Sequence, residues 1–236
     1  MSIQQELIQF LNQQGIQSVG FAHLEQDDIH LLKQCNMDFG DCNYGISIAV
    51  KLSDAIIDEI TDAPTHTYFH HYRTVNTFID QTLLKLGIYL EQKGYRYITV
   101  GASQSINLNG WNYNGRYSHK KLACLAGLGT IGKSSLFLHK EYGARVRLGS
   151  LFTNCPVSLQ NHAPISICKD CTLCTNACPS GAISGKEWHI GIAREEIFSA
   201  ETCSQYMKKQ FQHIGRGAVC GICMKVCPQY QKRLHT

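Results

Sequence analysis

The sequence predicts an α/β domain over residues 1–160 followed by a cysteine-rich module over residues 161–236. Two observations predict it. Helix-period and strand-period segments alternate through the first part, and eight of the twelve cysteines fall in the last 69 residues. The size agrees: 236 residues allow one good core plus a small second module, and 44% hydrophobic with 17% charged residues is an ordinary globular balance.

Taken in order, residues 3–14 place Ile3, Leu7, Phe10 and Leu11 on one helical face, and Gly15 ends that helix. IQSVGFAHL (16–24) and YGISIAVKL (44–52) are rich in β-branched and aromatic residues and predict two strands. SDAIIDEI opens a short helix at a serine cap. From about Tyr68 to Lys93, Val75, Phe78, Ile79, Leu83, Leu86 and Leu90 form the buried stripe of a long helix that Gly94 stops. YRYITVGA (95–102) is a third strand. The next eighteen residues, SQSINLNGWNYNGRYSHK (103–120), have no period, and a loop of that length in a compact domain is usually functional. Trp111, Tyr113 and Tyr117, set among hydrogen-bonding side chains, suit a ligand pocket.

GLGTIGKS (127–134) satisfies two nucleotide patterns, G-x-x-x-x-G-K-S and G-x-G-x-x-G. Its neighbours contradict both. A phosphate loop needs a strand before it and a helix after it, whereas SHKKLACLA reads as helix and SLFLHKEYGARVRLGSLFTN as a hairpin turning near KEYG. What remains is a glycine-lined loop able to approach a bulky cofactor closely, with Lys133 available to an oxygen of that cofactor.

The formal charge of +4 is small, and its densest basic stretch is KKQFQHIGRG (208–217), so neither a nucleic-acid patch nor a polybasic membrane anchor is indicated. The N-terminus lacks a basic n-region and an apolar h-region, and no apolar run is long enough to span a bilayer; a cytoplasmic location is expected. In that compartment clustered cysteines bind metal more often than they form disulfides.

Their spacing names the metal. Cys168, Cys171, Cys174 and Cys178 form C-x2-C-x2-C-x3-C-P, and Cys203 is followed by Cys220, Cys223 and Cys227, again before proline. This is two-cluster ferredoxin spacing, in which the fourth cysteine of each run ligates the other cluster. The expected sets are Cys168, Cys171, Cys174 and Cys227 on one [4Fe-4S] cluster, and Cys178, Cys203, Cys220 and Cys223 on the second. Structural zinc would use pairs of C-x2-C and has no need of the x2-x2-x3-Pro run twice. Sixteen residues separate Cys203 from Cys220, a helix-like insert that marks a ferredoxin-like module built into a larger protein. Cys35, Cys42, Cys124 and Cys155 read as small buried hydrophobes, with Cys124 the candidate for a reactive thiol. His70 and His71 read as a polar helix start.

The order HKKLACLAGLGTIGKSSLFLHKEYGARVRLGSLFTN, then CKDCTLCTNACPSGAI, then CGICMKVCP resembles epoxyqueuosine reductase and its shorter relatives, with the reductive dehalogenases further off, over about residues 70–230. The resemblance implies a nitroreductase-like, corrinoid-binding-like α/β domain that holds base-off cobalamin against the ferredoxin-like domain. It puts Gly127, Gly129, Gly132, Lys133 and Ser134 on the cofactor-facing loop and the eight cysteines on the clusters. It implies electron entry from a low-potential donor protein of ferredoxin or flavodoxin type, relay through both clusters, reduction of cobalt to nucleophilic Co(I), and attack on a small-molecule or corrinoid-linked substrate. A flavin is the other cofactor such folds hold.

Two departures shape the expectation. Where the tRNA-modifying members carry a catalytic Asp, this chain has VGASQS, so proton donation falls to Tyr113, Tyr117 or His119. Those members also carry a helical-repeat domain that helps hold tRNA, whereas this sequence ends nine residues after Cys227, so a tRNA partner is not expected. The alternative function is an electron-transfer protein that reduces a partner without substrate chemistry of its own.

Overall fold

In the computed structural model, residues 1–24, 39–106, 110, 113–158 and 166–229 are described. Cys35 and Trp111, named above, lie outside them. The chain forms two units, one from Met1–Val50, Val75–Leu128 and Arg147–Pro164, the other from Lys51–Thr74, Gly129–Val146 and Ile165–Thr236.

The first unit is built on a sheet of order β1-β2-β6-β3, with β1 at Ser18–His23, β2 at Tyr44–Lys51, β3 at Tyr97–Val100 and β6 at Val146–Thr153. β1 pairs antiparallel with β2, Gly20 opposite Ser47 and Ala22 opposite Gly45; β3 pairs antiparallel with β6. Side chains alternate across a strand, so Gly20 and Gly45 share one face and Ile46 and Ile48 the other. Helix α4 (His119–Leu125) lies on the small-residue face: a Cβ on Gly20 would stand 2.9 Å from the Ala126 Cβ, and one on Gly45 would collide with Leu122. The opposite face takes α3 (His66–Gln92), where a Cβ on Gly149 of β6 would come within 2.8 Å of Leu83. Leu7 and Leu11 of α1 (Ile3–Gln13) are fully buried, as the amphipathic pattern requires. Helices thus cover both faces of a sheet, which is the mixed α/β architecture the alternation predicts.

The second unit contains α2 (Asp54–Asp58), the start of α3, a two-stranded hairpin of β4 (Gly129–Ile131) and β5 (Phe137–His139), and the cysteine-rich segment. That segment carries α5 (Leu173–Ala177), α6 (Arg194–Ile197), α7 (Ala200–Phe211), a 3-10 turn at Gly215–Gly217 and α8 (Ile222–Lys225).

The hairpin corrects the sequence expectation. Its first strand is the glycine-rich string itself, and it turns at 132–136, where Ser135 N–H donates to the Gly132 carbonyl at 2.8 Å and Ser135 takes φ 58. At KEYG there is a single bridge between His139 and Gly143, after which β6 joins the main sheet. Ser53 also differs: its hydroxyl makes no cap, and its N–H donates to His71 Nε2 at 3.0 Å. Among the described residues no helix is long and apolar enough to cross a membrane.

Candidate functional site

The cysteines of the second unit sit on two loops of the same local build. In the first, Cys171 N–H returns to the Cys168 carbonyl at 2.8 Å, and Lys169 between them takes φ 41. In the second, Gly221 directly after Cys220 takes φ 84. Both loops need a left-handed residue after their first cysteine to wrap successive thiols inward; one uses glycine, the other bears that conformation on a lysine.

Several thiols of the second unit lie near enough to act on one another electrostatically. Burial, then repulsion from Cys168, Cys174 and Cys171, pushes the Cys227 thiol up to about 11, although Gln229 N–H opposes the rise. Burial, then Cys220 and Cys178, pushes Cys203 up to about 11. Cys223 is driven up by burial and by Cys220, Cys203 and Cys178. Cys178 goes the other way. Burial raises it, but the Ser180 hydroxyl, 3.3 Å from its sulfur, and the backbone N–H groups of Ser180, Ala182 and Ile183 outweigh that and hold the thiol below its ordinary value. Part-buried thiols that repel one another are donors whose charge iron cations relieve, so these cysteines suit [4Fe-4S] clusters. Cys174 also reaches Cys223, so the two sets adjoin.

Lys133 stands at the hairpin tip, buried, and its ammonium donates to the carbonyls of Lys169 and Cys171, the latter at 3.3 Å. It clamps the first cysteine loop and places a positive charge beside it. Gly132 leaves room for that contact: a Cβ there would stand 2.6 Å from Leu138 Cδ1 and 3.3 Å from Cys168 Sγ. Gly129 lies against the Leu138 carbonyl and would meet Phe137 at 2.9 Å. Ser134 is buried and its hydroxyl accepts the Leu136 N–H at 3.4 Å. Gly127, in the first unit, ends α4 with φ 70; its N–H goes to Cys124 and that of Leu128 to Ala123, each at 3.0 Å, a Schellman stop.

Sequence reasoning missed an ionic bridge in the second unit. Arg145, fully buried, donates to Asp54 Oδ1 at 3.0 Å and Asp58 Oδ1 at 2.8 Å, and Lys225 of α8 reaches the same Asp58 oxygen at 2.9 Å. The two arginine partners lie 91 and 87 positions away, a separation that carries no local signal.

The proton-donor candidates belong to the first unit. His119 Nδ1 is 2.8 Å from Ser150 Oγ and Nε2 3.3 Å from the Gly101 carbonyl, so Nε2 is the nitrogen that donates to that carbonyl. Burial lowers its pKa to about 4, with Arg147 adding to the fall and the Gly101 carbonyl opposing it. Tyr117 packs edge-on against Phe152 with centroids 5.0 Å apart, and Tyr113 takes φ 55. At the VGASQS turn Ser103 takes φ 62, and its hydroxyl accepts from Arg147 at 2.7 Å and Asn76 at 3.3 Å. Asp80 of α3 brings a carboxylate to this turn from elsewhere in the chain, accepting Ala102 N–H at 2.8 Å. Cys42, Cys124 and Cys155 are buried; burial pushes Cys124 up to about 12, which makes it an inert thiol.

Fold and thiol arrangement together define a double-cluster iron–sulfur protein, and residues 167–230 match the 4Fe-4S double cluster binding domain. An epoxyqueuosine reductase of Synechocystis sp. is 30% identical over 203 residues, covering 78% of this chain and 62% of that protein. Two solved structures share the fold. One is an epoxyqueuosine reductase with an epoxyqueuosine-modified tRNA-Tyr stem loop (TM-score 0.61, 21% identity, 98% of this chain and 66% of that one). The other is a reductive dehalogenase whose structure suggests a mechanism for B12-dependent dehalogenation (TM-score 0.72, 16% identity, 96% and 32%). The chain spans less than two thirds of the length of each of these proteins. Over these stretches it is similar to epoxyqueuosine reductases and, at 29% identity over 122 residues, to a tetrachloroethene reductive dehalogenase of Sulfurospirillum multivorans.

Proposed function

We propose that the chain is an iron–sulfur reductase that takes up electrons singly on two [4Fe-4S] clusters and delivers them to an acceptor held by its α/β part. The clusters are held by Cys168, Cys171, Cys174 and Cys227 and by Cys178, Cys203, Cys220 and Cys223. What supports this is the spacing of the eight cysteines together with the match of residues 167–230 to the 4Fe-4S double cluster binding domain. When bound, each cluster supplies low-potential one-electron chemistry. The chain's residues supply the rest. Ser180 and its neighbouring N–H groups stabilise charge on the Cys178 sulfur, Lys133 steadies the first loop, and the Arg145–Asp58–Lys225 bridge anchors α8, which carries Cys223.

A corrinoid is the acceptor the family resemblance implies. The residues named for it have local partners of their own: Gly127 stops a helix, Gly129 and Gly132 lie close to Leu138 and Cys168, and Lys133 donates to two backbone carbonyls. No step is therefore derived through a corrinoid, and none through a flavin. A neutral His119 supplies no proton near neutral pH, which favours the second reading, an electron-transfer protein whose substrate is a partner's cofactor. A tRNA partner stays outside the proposal, because the basic residues follow no groove or stripe in the sequence.

The test is anaerobic reconstitution, reduction with dithionite and addition of hydroxocobalamin. Dithionite bleaches the visible cluster bands if the chain carries reducible clusters; bands of clusters that resist it overturn the reductase. With excess cobalamin, a spectrum moved to the base-off form restores the corrinoid as acceptor, and an unchanged one leaves the electron-transfer reading.

A further inference from the structure

Thr175 has a buried hydroxyl with no nitrogen or oxygen partner among the described residues. It stands inside α5, where a threonine hydroxyl ordinarily returns to the carbonyl four residues back. That carbonyl belongs to Cys171 and accepts the Lys133 ammonium at 3.3 Å instead. Leaving a buried hydroxyl unbonded is costly, and the group that takes this one is the sulfur of the adjoining Cys174. Gly185, at φ 86, closes over the same hydroxyl: a Cβ there would stand 3.6 Å from Thr175 Oγ1.

A second hydroxyl is placed in the same way on another cysteine. After Cys178 the chain turns at once, with Gly181 at φ 67 and its N–H donating to the Cys178 carbonyl at 3.2 Å. The turn brings Ser180 Oγ to 3.3 Å from Cys178 Sγ and directs the N–H groups of Ser180, Ala182 and Ile183 to that sulfur. Ala182 and Ile183 are buried, and the bridge from Ile183 to Phe198 holds the segment in place. The turn needs its backbone N–H groups and has no need of a hydroxyl. A sulfur that ligates a metal is a thiolate and carries no proton, so both hydroxyls then act as donors.

A hydrogen bond to a cluster sulfur stabilises the reduced, more negative state more than the oxidised one, and exclusion of water strengthens it. Cys174 and Cys178 belong to different sets of the ligation proposed above. We infer that Thr175 and Ser180 are potential-setting residues, each hydroxyl raising the midpoint of one [4Fe-4S] cluster through the sulfur it bonds, Thr175 for the first cluster and Ser180 for the second. The inference rests on the iron–sulfur reductase reading and deepens it: these two side chains set how an electron is shared between the clusters. They act through a ligand sulfur and touch no substrate.

Redox titration of the anaerobically reconstituted chain, with the two clusters followed separately by electron paramagnetic resonance, tests it. At the wild-type midpoint of the first cluster, Thr175→Val lowers the ratio of reduced to oxidised cluster about three- to tenfold and leaves the second within about twofold. Ser180→Ala does the reverse. Thr175→Ser and Ser180→Thr, which keep the hydroxyl, restore most of each ratio. Iron content stays at the wild-type level. Should Ser180→Ala lose iron, Thr175→Val, which preserves the shape of the side chain, and Thr175→Ser carry the comparison. Midpoints unmoved in variants that keep their iron, or both substitutions moving the same cluster, overturn the inference and leave the reductase standing. Wild-type clusters that dithionite cannot reduce overturn the reductase itself.

Discussion

Lys133 holds a buried ammonium against two carbonyls of the loop that carries Cys168 and Cys171. A positive charge there stabilises the reduced, more negative state of whatever the loop holds. Lys133→Met is expected to lower the potential of the first cluster by on the order of tens of millivolts and to leave the second nearly unchanged. Lys133→Arg keeps the charge and is expected to restore most of the difference; redox titration followed by electron paramagnetic resonance reads both. The sequence made Lys133 conspicuous for another reason, as the lysine of a phosphate-loop look-alike. Its partner, a carbonyl more than thirty positions on, left no local trace.

His119 is the other residue whose environment makes a prediction. Its folded pKa, lowered to about 4 chiefly by burial, lies below the unfolded value near 6.5. The neutral ring's contribution to stability is therefore complete above about pH 6.5 and is lost as pH falls toward 4. Thermal melts are expected to show that decline in the wild type and a shallower one in His119→Gln. A slope unaffected by the substitution would contradict the buried, neutral ring.

At the scale of elements, α2, the turn entering β6 and α8 are tied through Arg145. Neutralising both carboxylates with Asp54→Asn and Asp58→Asn leaves the fully buried guanidinium uncompensated, and the expected loss is about 3 kcal/mol in urea unfolding. Hydrogen bonds from Arg145 and then Lys225 hold the Asp58 carboxyl below its ordinary value. Its stabilisation is present above about pH 4 and lost as pH falls through the lower folded value. Acid titration of the far-ultraviolet signal is expected to separate wild type from Asp58→Asn above pH 4 and to bring them together below it.

The elements also show where sequence reasoning reaches. α1, α3, α4 and the strands β1, β2 and β3 were legible because an apolar period and a glycine stop are local signals. The β4–β5 hairpin was not, because GTI is three residues long and hides inside a glycine-rich string that looks like a loop. The cysteine run was the most legible feature of all, since cluster ligation fixes spacing within a single turn of chain.

At the scale of the molecule, we propose that the two halves of the cysteine-rich segment are crossed, each lending a thiol to the other's cluster. The direct measurement is iron content with electron paramagnetic resonance on reconstituted wild type, Cys171→Ser, Cys227→Ser and Cys220→Ser. The wild type is expected to hold about eight iron atoms per chain. Cys171→Ser and Cys227→Ser are expected to lose the same cluster and leave the same residual spectrum, and Cys220→Ser to leave the other. A Cys227→Ser protein whose residual spectrum matches Cys220→Ser, or a wild type that binds two zinc ions and no iron, would contradict the account.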